Sequence, residues 1–234
     1  DSLPTLACAG ATCNDLVAFD PVEGVGYIDA LTSGETFGDQ YRSWLSRHAM
    51  QAVAYAAAKV ACKAVDWPAG VGGPIALGDM SEANGAIPGA SVAEPAYPAG
   101  THEDGKDIEI AYFQAGTPDN GLRAICPHEE GAPLADVFHC VSAPDTLDPW
   151  RTAFFIGVLH ESADLRVIGV DGQAGPLLAE KLDQLCADGW LEGAVCGAGR
   201  KLAYEVTDEG AGWFYNRHEA IHVSFTASQS AFAD

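Results

Sequence analysis

The sequence is poor in positive charge. Lysine and arginine number 12 against 33 aspartates and glutamates, which leaves a formal net charge of −21 over 234 residues. A surface of that sign repels phosphate at every approach, and this excludes nucleic acid and anionic membrane as natural partners. Long hydrophobic runs are lacking too. No stretch approaches the roughly 18 uninterrupted apolar residues of a membrane-crossing helix, so no transmembrane segment is expected. There is no Cys-x-x-Cys pair, which sets aside zinc knuckles and thioredoxin-type sites, and no Gly-x-Ser-x-Gly nucleophile elbow. Glycine is frequent, at 26 residues, but follows no period, so fibrous classes fall away. The chain opens on Asp1 instead of methionine, as expected of a processed or truncated start from which any signal peptide has gone.

What is present suffices for a real core, because 48% of the residues are hydrophobic and the length suits one large domain or two small ones. No linker demands two. The expectation is a single domain over residues 1–234 with an irregular, Gly/Pro/Asp/Thr-rich arm to about residue 37. Of seven cysteines, Cys8 and Cys13, Cys126 and Cys140, and Cys186 and Cys196 are spaced like local disulfide staples across loops. That pattern favours an oxidising compartment, hence a secreted or periplasmic protein. The acidity suits an exported or a salt-adapted protein alike. Cys62 is left as a free thiol in an alanine-rich helical run, expected to be buried and unreactive.

Apolar and small residues at three- and four-residue steps (Ala49, Val53, Ala56, Val60, Ala64) predict a helix from Gln40 to Trp67, stopped by Pro68. A strand is expected over Pro74–Gly78, then a Gly/Pro loop to about Gly100. Lys106–Phe113 alternates as a strand, with Asp107, Glu109 and Ala111 on one face and Ile108, Ile110 and Tyr112 on the other. Residues 114–148 read as loop, Trp150–Leu165 as helix, Arg166–Val170 as strand, Pro176–Trp190 as helix and Ala220–Phe225 as strand. Without a regular βαβ rhythm the fold class is α+β with a mainly antiparallel sheet flanked by helices.

Gly100-Thr-His-Glu-Asp-Gly105-Lys106-Asp107 nearly spells a phosphate-binding loop. However, Asp107 replaces the magnesium-binding hydroxyl, Glu103 and Asp104 would place negative charge in the cradle, and a strand follows where a helix should open. The segment Asp104–Glu109 lacks the acidic spacing of a calcium loop. It reads better as half of a metal site: His102 in a loop, Gly105 permitting a tight turn, then Asp107 and Glu109 on one strand face. The other half would come from His218-Glu-Ala-Ile-His222. Two histidines and a carboxylate with an open position form the usual composition of catalytic zinc. His48 is expected as a surface or partly buried helix residue, and His128 and His139 in structural or solvated roles near the cysteines. His160 is expected as a cation suited to a helix end. Trp213, Phe214 and Tyr215 are core or rim, or a cleft wall.

The ordered set of segments resembles penicillin-insensitive murein endopeptidases and, more widely, the LAS metallopeptidases. Leu77-Gly-Asp-Met-Ser81 resembles that family's Gly-Asp-Leu-Ser segment. His102-x-x-Gly-x-Asp-x-Glu109 resembles its His-x-x-Gly-x-Asp-x-Asp motif, and Asp148-Pro-Trp-Arg151 its Asp-x-x-Arg-Asn helix. Val167-Ile-Gly-Val-Asp171 resembles its Ile-Phe-Val segment, and His222-Val-Ser-Phe its closing His-Val-Arg. The similarity spans roughly residues 40 to 225. It implies a LAS/hedgehog-like sheet carrying Zn²⁺ on His102, Glu109 and His222, with a peptide of peptidoglycan as substrate. It also implies that Asp79 lies close by, accepting from a ligand histidine or capping the loop, with Asp107 and Asp104 near the metal or substrate. Two positions depart from the family. Glu109 stands where an aspartate is usual, and Ala220 where a catalytic histidine is. His218 or Glu219, or Glu103 or Asp104 from the other side, would then take the proton-transfer role; otherwise the chain is a zinc-stabilised binding module.

Overall fold

In the computed structural model residues 3–19, 23–30, 35–36, 41–128, 138–204 and 217–228 are described. The strands are β1 (Leu16–Ala18), β2 (Glu23–Gly24), β3 (Tyr27–Asp29), β4 (Trp44–Ser46), β5 (Ile75–Leu77), β6 (Asp107–Ala111), β7 (Leu165–Gly169), β8 (Leu202–Ala203) and β9 (Ala220–Phe225); the α-helices are α1 (Arg47–Lys63), α2 (Pro149–Leu159) and α3 (Ala174–Ala187). The fold is α+β. Seven strands form one sheet in the order β2-β3-β5-β6-β9-β7-β8, and β1 pairs with β4 apart from it. The sheet is mixed: β3–β5 and β7–β8 are parallel, whereas the other four pairings, including both made by β9, are antiparallel.

The period-2 pattern of β6 and β9 divides the centre of the sheet into two faces. Ile108 lies opposite Val223 and Ile110 opposite Ile221, and these join one apolar core with the helices. Glu109 and His222 are paired on the other face. That face is covered as well, since every residue of β6 is buried.

The helices pack in the order α1–α2–α3, each for a visible reason. The buried stripe of α1 is mostly alanine (Ala49, Ala52, Ala56, Ala57), so neighbours approach its backbone closely; a Cβ on Gly26 would stand 2.2 Å from the Ala57 carbonyl oxygen. In α2 the Asp148 side chain accepts the Trp150 and Arg151 N–H groups, and Pro149 supplies a preset first turn. Leu178, Leu182 and Leu185 give α3 its buried stripe.

Several boundaries differ from expectation. The first helix begins at Arg47, not Gln40, because residues 44–46 are drawn into pairing with β1. The second ends at Leu159, and Leu165 already belongs to β7. The arm before residue 37 contains β1, β2 and β3 among its described residues, and β3 pairs with β5. Cys8–Cys13, Cys126–Cys140 and Cys186–Cys196 are disulfides. Cys62, expected to be buried, is exposed; it lies midway between Val60 and Ala64, and so points away from the face those two bury. Among the described residues, no helix is long and apolar enough to cross a membrane.

Candidate metal centre

Strand pairing assembles the first part of the site. Residues opposite one another on antiparallel strands share a face, so the register of β6 and β9 brings a carboxylate and an imidazole together. Glu109 Oε1 lies 2.9 Å from His222 Nδ1. His102 arrives from a sharply bent loop, in which His102, Asp104 and Gly105 have φ of 54°, 56° and 63°. A Cβ at Gly105 would stand 2.4 Å from Leu16 Cδ2 and from the Ser46 backbone nitrogen, so the turn requires glycine. The bend sets His102 Nε2 3.3 Å from the same Glu109 oxygen. One ligating atom from each of His102, Glu109 and His222 falls within 4.8 Å of the others.

Asp107 ties this arrangement together. Its Oδ2 accepts the His102 backbone N–H at 3.1 Å, and its Oδ1 stands 3.3 Å from His222 Nε2. Tyr97 lies flat against His102, with ring centroids 3.8 Å apart and planes at 24°. Tyr97 and Asp79 line the same cavity, and the Asp79 charge acts on the Tyr97 hydroxyl. Asp79 is in turn 3.5 Å from Arg42 and accepts the Glu109 N–H through its backbone carbonyl at 3.0 Å. Asp79 therefore reaches the cluster through Tyr97 and the β6 backbone.

The electrostatics follow from this packing. Burial favours a neutral Glu109, but hydrogen bonds from His102 and His222 outweigh it and hold the carboxyl well below the usual carboxylate range. Burial also opposes a charged His222, yet Asp107 and Glu109 raise it to about 9. Asp107 is lowered against its own burial, chiefly by His222. The donor set fits a metal ion. It offers one carboxylate and two imidazoles around one point, and His102 Nδ1 is buried with no hydrogen-bond partner among the described residues.

A cavity of about 450 Å³ opens beside Glu109, walled by Asp79, Tyr97, Arg123, His128, His218 and Glu219. His218 occupies the turn that leads into β9, so the chain bends between it and His222. Its backbone N–H donates to the Phe138 carbonyl at 2.8 Å, and its carbonyl accepts the Ile125 N–H at 3.0 Å. The ring stands 4.6 Å from that of His128, with Nδ1 2.7 Å from Glu219 Oε2. Both ring nitrogens are buried, and neither has a hydrogen-bond partner of good geometry among the described residues.

Other expected residues fall elsewhere. Asp104 is exposed and pairs with Lys106 at 2.9 Å; the bend that aims His102 inward turns Asp104 out. His48 is buried, not superficial, and bridges the carbonyls of Cys13 and Thr226. His160 accepts the Lys201 N–H through Nε2 and is lowered by burial, so it is a neutral strut and not a helix-end cation. His139 lies 3.9 Å from Asp171, whereas His128 lines the cavity. Trp213, Phe214 and Tyr215 lie outside the described residues. Sequence reasoning missed Tyr97 and also Arg217, whose guanidinium sits over the Tyr97 and Phe138 rings and 3.6 Å from Glu219. An aromatic in a Gly/Pro loop carries no periodic signal that could have found Tyr97.

No family model matches the chain, and no characterised protein matches it.

Proposed function

We propose that this protein is an exported zinc metallopeptidase of the LAS group, acting on peptide bonds of peptidoglycan. The observation that carries the reading is the convergence of His102, Glu109 and His222 within 4.8 Å. It is joined by a cavity of about 450 Å³ in which His218 and Glu219 face the same space as Glu109. Zinc supplies Lewis-acid chemistry, polarising a carbonyl and acidifying water at neutral pH. The chain's own residues do the rest. Asp107 and Tyr97 fix the ligand rings, Glu109 and the two histidines hold the ion, and the cavity admits an extended peptide. His218 accepts a proton from water and returns it to the leaving amine, with the Glu219 carboxylate beside the ring to stabilise its charged form. The three disulfides suit an oxidising, extracellular or periplasmic setting.

One observation favours a second reading. Ala220 is 3% exposed in β9 and offers no proton-transferring group where the family carries a histidine, as a zinc-stabilised binding module would. Zinc content measured together with hydrolysis of purified muropeptides, with and without chelator, separates the two. Chelator-sensitive cleavage supports the peptidase. Stoichiometric zinc without any cleavage establishes the module, and a protein that takes up no divalent metal refutes both.

A further inference from the structure

A second candidate site lies away from the metal centre, where the end of α1, the start of α2 and the end of α3 meet. Trp67 stands between two other indoles. Its ring meets Trp150 at 84° with centroids 6.3 Å apart, and Trp190 at 86° with centroids 5.3 Å apart. Phe154 packs behind, 5.6 Å from Trp67 and 6.0 Å from Trp190. The three tryptophans wall a cavity of about 380 Å³ together with Pro68, Ala69, Leu185 and Asp148. Trp190 is 45% exposed, so the cavity is reached from solvent. Three indoles set at right angles and left open to water leave apolar area uncovered that a purely structural cluster would bury.

We propose that Trp67, Trp150 and Trp190 form an aromatic cage that binds a quaternary or fully alkylated ammonium group. Indole faces attract cations through the ring quadrupole, and methylated ammonium ions add apolar contact at low desolvation cost. The protein already uses one of these rings in that way, since Lys181 Nζ lies over Trp150, 4.9 Å from the centroid. The only charged side chain in the lining is acidic. Asp148 accepts the Trp150 and Arg151 N–H groups and pairs with the Arg151 guanidinium, so the pair is neutral and leaves the lining without a free acceptor. Arg151, next to Trp150, is 1% exposed and is balanced by Asp148 and by the carbonyls of Ala64, Val65, Trp67 and Ala69. A sugar ring would need hydroxyl partners that Pro68, Ala69 and Leu185 cannot offer. At longer range, the net charge of −21 raises the local concentration of small cations.

The test titrates the intact protein with tetramethylammonium and with choline at fixed ionic strength. Tryptophan fluorescence and calorimetry report binding. The neutral isostere 3,3-dimethylbutan-1-ol and N-acetylglucosamine serve as comparisons. Both cations should saturate a single site, with the isostere weaker by about tenfold or more. Trp190→Ala should abolish binding, while Trp190→Phe, which keeps an aromatic wall, should weaken it and leave the melting curve in place. Equal binding of the isostere would reduce the cavity to a plain apolar pocket, and preferential saturation by the sugar would make it a glycan site. Either result overturns the proposal, as does the lack of any saturable signal up to about 100 mM cation.

Discussion

Asp29, at the end of β3, is 2% exposed. Burial raises its carboxyl from 3.8 to about 7, helped by the charge of Glu35. A carboxyl raised on folding stabilises the native state only while protonated, so its contribution is complete below about pH 4 and is lost as pH rises through about 7. Asp29→Asn should therefore melt near the parent at pH 4 and above it at pH 8, by up to about 4 kcal/mol at 1.4 kcal/mol per pH unit. Parallel thermal melts across that range check the sign, and a constant gap at all pH values would refute it. At the candidate metal centre, the proposed zinc peptidase should bind about one equivalent of zinc, and His222→Ala should reduce this to a trace after dialysis. His218→Ala should instead keep the metal and lose about 10²–10⁴-fold in turnover on muropeptides. Should His218→Ala lose the metal as well, the residue holds the site and does not move a proton.

At the scale of elements, β9 was legible to the residue, from Ala220 to Phe225, because an alternating run bounded by the polar Glu219 and Thr226 has one reading. The partition of β6 into an acidic and an aliphatic face was legible for the same reason. Their pairing was not. Glu109 and His222 are 113 residues apart, and nothing local in either strand encodes the register between them. The clustering of His102 with Glu109 was partly visible, since glycine at 105 implies a turn that local chemistry can predict. Tyr97 was invisible because an aperiodic loop folds around its neighbours and not around its own pattern. The Cys126–Cys140 disulfide belongs to this scale as well. It flanks Ile125, whose N–H holds the His218 carbonyl, and spans 14 residues. Replacing both cysteines by serine should cost about 3 kcal/mol in denaturant unfolding. A loss under about 1 kcal/mol would mean that the loop is already held by its other contacts.

For the whole molecule, a charge of −21 on 234 residues sets like charges against each other over most of the surface. Self-repulsion of this kind acts within a Debye length, which shrinks from about 30 Å at 0.01 M salt to about 3 Å at 1 M. The melting temperature should therefore climb with sodium chloride across that range. A flat or falling curve would show that ion pairs such as Arg200–Asp183, at 2.6 Å, outweigh the repulsion. The sheet order carries a different consequence, which concerns synthesis. β9 lies between β6 and β7, so until it emerges from the ribosome the sheet exists as two separate pieces, each with a bare, hydrogen-bonding edge. Those edges are the surfaces on which nascent chains stick to one another. The same strand that closes both edges also delivers His222, so a chain stalled before residue 220 can neither complete its sheet nor assemble the three-residue cluster.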